Sequence, residues 1–155
     1  MHVFMNSPSP SIRSLAVSPA AGQPISCSEA HIPAGFPSPA QDYLEDRIDL
    51  NTALIGNPTA TFLARISGDS MRDLGVFDGD LIVVDRSLTP RSGDVVLAWV
   101  QGGFTVKTFR VRGRRAFLVA AHPDYPELEL LEDAGDGIWG VVLHVIRSFR
   151  KSPAA

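Results

Sequence analysis

Of the fourteen Lys and Arg residues in the chain, twelve are arginines, and one of the two lysines, Lys107, stands inside the apolar run Phe104-Thr105-Val106-Lys107-Thr108-Phe109. A lysine held in a low-dielectric setting loses the stability of its charged form. Its pKa can then fall by several units from about 10.4, and the neutral amine can act as a base near neutral pH. Arginine cannot do this. The plainer reading is a strand-edge lysine reaching into water, and alternation along the run does not say which face Lys107 occupies. The second group is Ser70, in Gly68-Asp69-Ser70-Met71. A serine at a tight strand exit beside a glycine can present its hydroxyl next to backbone N–H groups able to bind an oxyanion. Arg72 stands where a nucleophile elbow needs its second glycine, and a turn with a hydrogen-bonding serine is the commoner meaning of such a tetrapeptide.

The elements that would position these groups follow from turn signals and apolar spacing. Strands are expected over 61–66, 81–85, 94–100, 104–111, 116–121, 127–131 and 138–149, with Asp78-Gly79-Asp80, Gly102-Gly103 and the hairpin tip Arg112-Gly113-Arg114 as turns. Short strands at this spacing predict a mainly β fold, a compact curved antiparallel sheet or a partly closed barrel. Ahead of them, Tyr43, Leu44, Ile48, Leu50 and Leu54 suit one or two short helices within 42–55. Asp49 is the expected N-cap of the second, and Gly56-Asn57-Pro58 the stop.

Residues 1–34 differ in kind. They hold seven serines, five prolines and only two formally charged residues, Arg13 and Glu29, without apolar periodicity, which is the composition of a flexible arm. Pro37 and Pro39 keep the chain extended at the boundary, so the folded domain is expected over 35–150, with a disordered tail at 151–155. A length of 155 residues allows one core and no second ordinary domain. The net charge of −3 supplies no bulk positive field, so direct contact with DNA is not expected. A single cysteine, Cys27, forms no intramolecular disulfide, and no Cys/His spacing suggests a metal, so no cofactor is expected. With no apolar stretch near the roughly 18 residues of a membrane span and no export signal, the expected location is the cytoplasm.

Several motifs taken together resemble a known family. Gly35-Phe36-Pro37-Ser38-Pro39-Ala40-Gln41-Asp42-Tyr43 and Arg47-Ile48-Asp49-Leu50-Asn51 resemble the opening of mature UmuD-type proteins of the bacterial DNA-damage response. Ser67-Gly68-Asp69-Ser70-Met71, Asp78-Gly79-Asp80-Leu81 and Phe104-Thr105-Val106-Lys107 continue the match in the same order, and the similarity runs from about Gly35 to Arg150. The resemblance to these LexA/UmuD-type self-cleaving peptidases implies a serine endopeptidase in which Ser70 is the nucleophile and Lys107 the general base. It also implies a cut between Ala34 and Gly35, 36 residues ahead of Ser70. A small residue followed by glycine suits a narrow cleft. UmuD-type members often carry cysteine before that glycine, and LexA-type repressors carry alanine.

On this reading neutral Lys107 takes the Ser70 proton, the serine attacks the Ala34 carbonyl, and backbone N–H groups of Asp69 and Ser70 hold the oxyanion. The resemblance further implies a homodimer, activation by the RecA filament on single-stranded DNA, and assembly of the trimmed dimer with UmuC, a translesion DNA polymerase. The alternative of a different class is a non-catalytic module that binds a polymerase through a peptidase-like fold. A repressor would need a DNA-binding domain ahead of the cut, which 34 Pro/Ser-rich residues do not supply. A signal peptidase would need a membrane anchor.

The remaining features have plain explanations. Arg110, Arg112, Arg114 and Arg115, like Arg147, Arg150 and Lys151, could touch nucleic acid but suit a solvated hairpin tip and a solubilising tail. His122 and His144 invite a Ser-His-Asp triad, yet His144 lies in the apolar run 141–146, as a core or interface histidine would. Trp99 and Trp139 suit packing in the core or at a dimer surface.

Overall fold

The computed structural model of the chain describes residues 15–16, 25–28, 34–36, 45–131 and 135–150. Its strands are β1 (Leu15–Ala16), β2 (Ile25–Ser28), β3 (Glu45–Ile48), β4 (Thr61–Arg65), β5 (Leu81–Asp85), β6 (Val95–Val100), β7 (Gly103–Arg112), β8 (Arg115–Val119), β9 (Leu128–Glu129) and β10 (Gly137–Ile146). Eight of them form one antiparallel sheet in the order β1-β4-β5-β10-β6-β7-β8-β9, and β2 and β3 form a separate two-stranded ribbon. The sheet is open, with β1 and β9 at its edges. The mainly β expectation holds, and of its two forms the curved sheet is the one observed.

Near-continuous apolar runs make β5 and β6 central, because a strand covered on both faces needs apolar side chains on both. Side-chain alternation then divides β6 between two clusters. Val96, Ala98 and Val100 face one way with Phe109, Ala116, Leu118, Leu130 and Ile138. Leu97 faces the other with Ile82 and Val84, flanked by the half-buried Ala64, Ile66, Phe104, Val106, Trp139 and Val142. Trp99 and Trp139 both pack edge-on against Phe104, at 4.8 and 6.1 Å.

Strand β10 runs between β5 and β6, and its register shifts between Ile138 and Gly140 and again between Val142 and His144. Such irregularities bend and twist a strand, which curves the sheet around the site. Gly140 lies at the first of them. A Cβ there would stand 2.6 Å from Val84 Cγ1 and 3.1 Å from the Asp85 carbonyl oxygen, so only glycine lets β10 approach β5 so closely. The β6–β7 hairpin closes through Gln101 and Gly102, both at positive φ (50° and 82°), a pair that matches the sheet's twist. The Asp136 carboxylate accepts from the Gln101 N–H and secures this loop.

Two expectations change. Residues 45–48 are strand rather than helix, because the backbone of Ile25–Ser28 offers them ladder hydrogen bonds. Helix α1 is therefore only Leu50–Leu54, with Asp49 as its N-cap, accepting from the Asn51 N–H at 2.9 Å. Within the stretch read as a flexible arm, Leu15–Ala16 and Ile25–Ser28 are strands: β1 extends the sheet along β4 and β2 pairs with β3. The tail at 151–155 lies outside the described residues.

Candidate active site

Lys107 lies in β7, which is flanked by β6 and β8 and is not an edge strand. It pairs with Val96 and shares the inward face of Phe109, and its exposure is only 6%. That settles the face which alternation left open. Pairing of β7 with β8 stops at Thr108–Val119, so Lys107 sits where β8 has left the sheet. The turn that follows β4, residues 67–75, fills the space. It is tied to the departing chain by the Asp73 N–H, which donates to the Ala121 carbonyl at 2.9 Å.

The turn is held in several places. Gly68 takes φ of 97°, and its N–H donates to the Asp78 carboxylate at 2.8 Å. Gly79 (φ 84°) donates to the Ile66 carbonyl, and the Ile66 N–H donates to the Asp80 carbonyl, so Asp78-Gly79-Asp80 closes onto the end of β4. The Asp80 side chain is buried and accepts from the Phe77 N–H and, at two points, from Arg147. Hydrogen bonding to Arg147 holds the Asp80 carboxyl below its ordinary pKa. Arg147 also donates to the Gly75 carbonyl and stacks on the Phe77 ring, linking the end of β10 to the turn. Met71, 3% exposed, anchors the turn in the core beside Ser70.

The outcome is that Lys107 Nζ donates to Ser70 Oγ at 2.8 Å. It also donates to Thr105 Oγ1 at 2.8 Å, two residues back on the same face of β7, and to the Val106 carbonyl at 3.0 Å. All three partners are neutral oxygens. With no carboxylate bonded to the amine among the described residues, burial pushes the Lys107 pKa below its ordinary value. A cleft of about 410 Å³ opens beside Ser70, and its apolar wall includes Ile66, Met71, Ile82, Leu97, Phe104 and Val106. This geometry suits a serine hydroxyl that gives its proton to a neutral amine while a backbone segment lies in the cleft.

The other sequence-read residues fall as follows. Ala34 and Gly35 are exposed, neither lines the cleft, and a Cβ on Gly35 would meet nothing within 4 Å. Of the two N–H groups read as oxyanion donors, that of Asp69 bears on its own carboxylate, whereas no described residue accepts from that of Ser70. His122 is buried, but its Nε2 faces the Asp69 carboxylate at 3.8 Å and Ser70 is bonded to Lys107 instead. His144 lies half-buried in β10, opposite Val83 of β5. In the arginine cluster, Arg112 pairs with Glu127 and Arg115 with Glu129, and both stack on Phe117 at just over 5 Å.

Two groups at the site were not singled out from the sequence. Tyr125 donates its hydroxyl to Asp69 at 2.7 Å, and Arg147, which in the sequence reads only as part of a basic tail, donates to Asp80 at 2.7 Å. Their partners lie 56 and 67 residues away, so no local pattern could have signalled them.

Among the described residues no helix is long and apolar enough to cross a membrane. The Peptidase S24-like family model matches residues 24–143. The chain is 48% identical over 118 residues to Protein ImpA of Salmonella typhimurium, covering 76% of this chain and 80% of that protein. It is 43% identical over 114 residues to Protein MucA of Escherichia coli, covering 73% and 77% of the two. The LexA repressor of Photorhabdus laumondii is 36% identical over 118 residues, 76% of this chain and 58% of the repressor. The motif resemblance, the open β sheet and these matches agree: the chain belongs to the Peptidase S24-like family of self-cleaving peptidases, as a UmuD-type member.

Proposed function

We propose that this chain cuts its own N-terminal arm between Ala34 and Gly35, with Ser70 as nucleophile and Lys107 as general base, as part of the SOS response to DNA damage. The observation that carries the reading is the 2.8 Å contact between a buried lysine and the serine, made without a carboxylate counter-ion among the described residues. Protonated Lys107 has three N–H groups for its three oxygen partners. Once neutral it has two, which can stay on Thr105 Oγ1 and the Val106 carbonyl, leaving the lone pair for the Ser70 hydroxyl.

The Ser70 proton then passes to Lys107 Nζ as Oγ attacks the Ala34 carbonyl carbon. The Ser70 N–H faces the developing oxyanion. Collapse breaks the Ala34–Gly35 bond, and the Gly35 nitrogen leaves with the proton that Lys107 carried. Water, deprotonated by the same amine, hydrolyses the Ser70 ester and frees the arm with a new carboxylate at Ala34.

Because Ala34 and Gly35 are exposed and lie off the cleft, cutting requires the arm to enter it, and the rate is set by how often it does. A protein that shifts this population controls the reaction. We assign that role to the RecA filament on single-stranded DNA, and the trimmed homodimer to partnership with a UmuC-type polymerase in translesion synthesis.

The test is incubation of the purified chain with activated filament, read by intact mass and N-terminal sequencing. A product beginning at Gly35 is expected. A product beginning at Gly22, from the rival Ala21-Gly22 bond, or at any residue beyond Gly35 would contradict the assignment.

A further inference from the structure

Between β8 and β9 the chain makes a short loop that closes over both halves of the site. His122 Nδ1 accepts from the Asp124 N–H at 3.1 Å, so the neutral ring carries its proton on Nε2, the nitrogen that faces Asp69 at 3.8 Å. The buried His122 ring supports the Tyr125 ring edge-on at 5.1 Å. From that position the Tyr125 hydroxyl donates to Asp69 Oδ1 at 2.7 Å, on the residue just ahead of Ser70. The Tyr125 ring also stands 5.9 Å from Lys107 Nζ. A third tie, from the Asp73 N–H to the Ala121 carbonyl, fixes the other side of Ser70. Asp69 and Tyr125 are both open to solvent, so a bond between them contributes little to the core. Its geometric effect falls instead on the residues it brackets.

We propose that the Ala121–Tyr125 loop is a latch on the nucleophile turn, with Tyr125 as a positioning residue whose hydroxyl fixes Asp69 and whose ring roofs the Lys107 amine. The inference rests on the Ser70/Lys107 reading above. It assigns two separable effects to one side chain. The hydroxyl sets the orientation of Ser70 and its backbone N–H, which affects the rate at every pH. The ring keeps water from Lys107, which affects the pH at which the amine becomes neutral. The ionisable groups facing this region are Asp69, Asp124, His122 and Arg72, and the hydroxyl bond to Tyr125 holds Asp69 below its ordinary pKa.

The test separates the two effects by substitution. Tyr125→Phe keeps the ring and removes the hydroxyl, whereas Tyr125→Ala removes both. Asp69→Asn keeps an oxygen able to accept from Tyr125, whereas Asp69→Ala does not. Arm loss without activator is followed from pH 7 to 10 in each variant. The Lys107 titration is read separately by NMR of carbon-13-lysine protein in an uncleavable Ser70→Ala background. Only two lysines are present, so Lys107 is readily assigned.

Tyr125→Phe and Asp69→Ala should slow arm loss roughly three- to tenfold at every pH, the size expected for the net worth of one ordinary hydrogen bond at a solvent-exposed site. Asp69→Asn, which can still accept from the Tyr125 hydroxyl, should slow arm loss less than Asp69→Ala. Tyr125→Phe should leave the Lys107 midpoint in place, and Tyr125→Ala should move it up toward the ordinary lysine value. If Tyr125→Ala fails to fold, Tyr125→Leu serves the same measurement. Wild-type rates in Tyr125→Phe, or an unmoved midpoint in the ringless variant, would overturn the latch while leaving the dyad standing. A wild-type chain with no alkaline rise would overturn the dyad and the latch with it.

Discussion

Lys107 sits one residue beyond the point at which Val119 ends the pairing of β8 with β7. The sheet supplies a rigid floor for the amine on the β6 side and an opening on the β8 side, and the Ser70 turn fills that opening. A base buried in an unbroken sheet would have no room for a nucleophile, and a base on an edge strand would be solvated. The placement predicts that Ser70→Ala removes one hydroxyl from the mouth of the opening and leaves the sheet intact. Urea denaturation should place the variant within about 1 kcal/mol of wild type, and intact mass should show no arm loss with or without activator. Cutting at the normal rate would remove Ser70 from the chemistry.

Gly140 tests the curvature that brings the elements of the site together. Gly140→Ala sets a methyl group 2.6 Å from Val84 and 3.1 Å from backbone oxygen, and the backbone cannot yield as a side-chain tip can. We expect a loss of about 1–3 kcal/mol in urea denaturation, the range for overpacking a closed site. A variant as stable as wild type would show that β10 can move away from β5 without penalty.

The Asp80–Arg147 pair predicts how stability depends on acid. The folded state holds the Asp80 carboxyl below its ordinary value of 3.8, so its contribution is fully present above that value and is lost as pH falls through the lower folded one. Asp80→Asn should therefore lower the urea midpoint at pH 7 and flatten its decline between pH 4 and pH 2. An unchanged acid slope would mean that other carboxylates govern it.

The sequence was most informative where structure is local. Apolar runs and turn residues placed β4 to β8 and β10 within a few residues, and Asp49 was legible as a cap because a cap is a contact with its near neighbours. The strands β1, β2 and β3 were missed because their partners are distant and polar residues such as Ser26 and Arg47 carry no apolar alternation. Apolar spacing also could not distinguish an open sheet from a closed barrel, since both bury the same side chains. At the site, Ser70 and Lys107 were recognisable only through their joint motifs. The face occupied by Lys107, the Tyr125–Asp69 bond and the Arg147–Asp80 pair needed coordinates, because each depends on how strands far apart in sequence are brought together.

The claim on which the account depends is that Lys107 must be neutral to take the Ser70 proton, and a pH series of arm loss without activator tests it most directly. Burial lowers the Lys107 pKa, so the neutral fraction grows as pH rises from 7 toward 10. Below that pKa the rate should rise about tenfold per pH unit, and above it level off. Lys107→Arg keeps a long cationic side chain that stays protonated throughout, so it should be inactive at every pH, as should Lys107→Ala. Circular dichroism at each point establishes that all three chains remain folded. A wild-type rate that rises and levels, with both variants inactive, is the predicted result. A flat wild-type profile or an active arginine variant would contradict it and assign the base to another group.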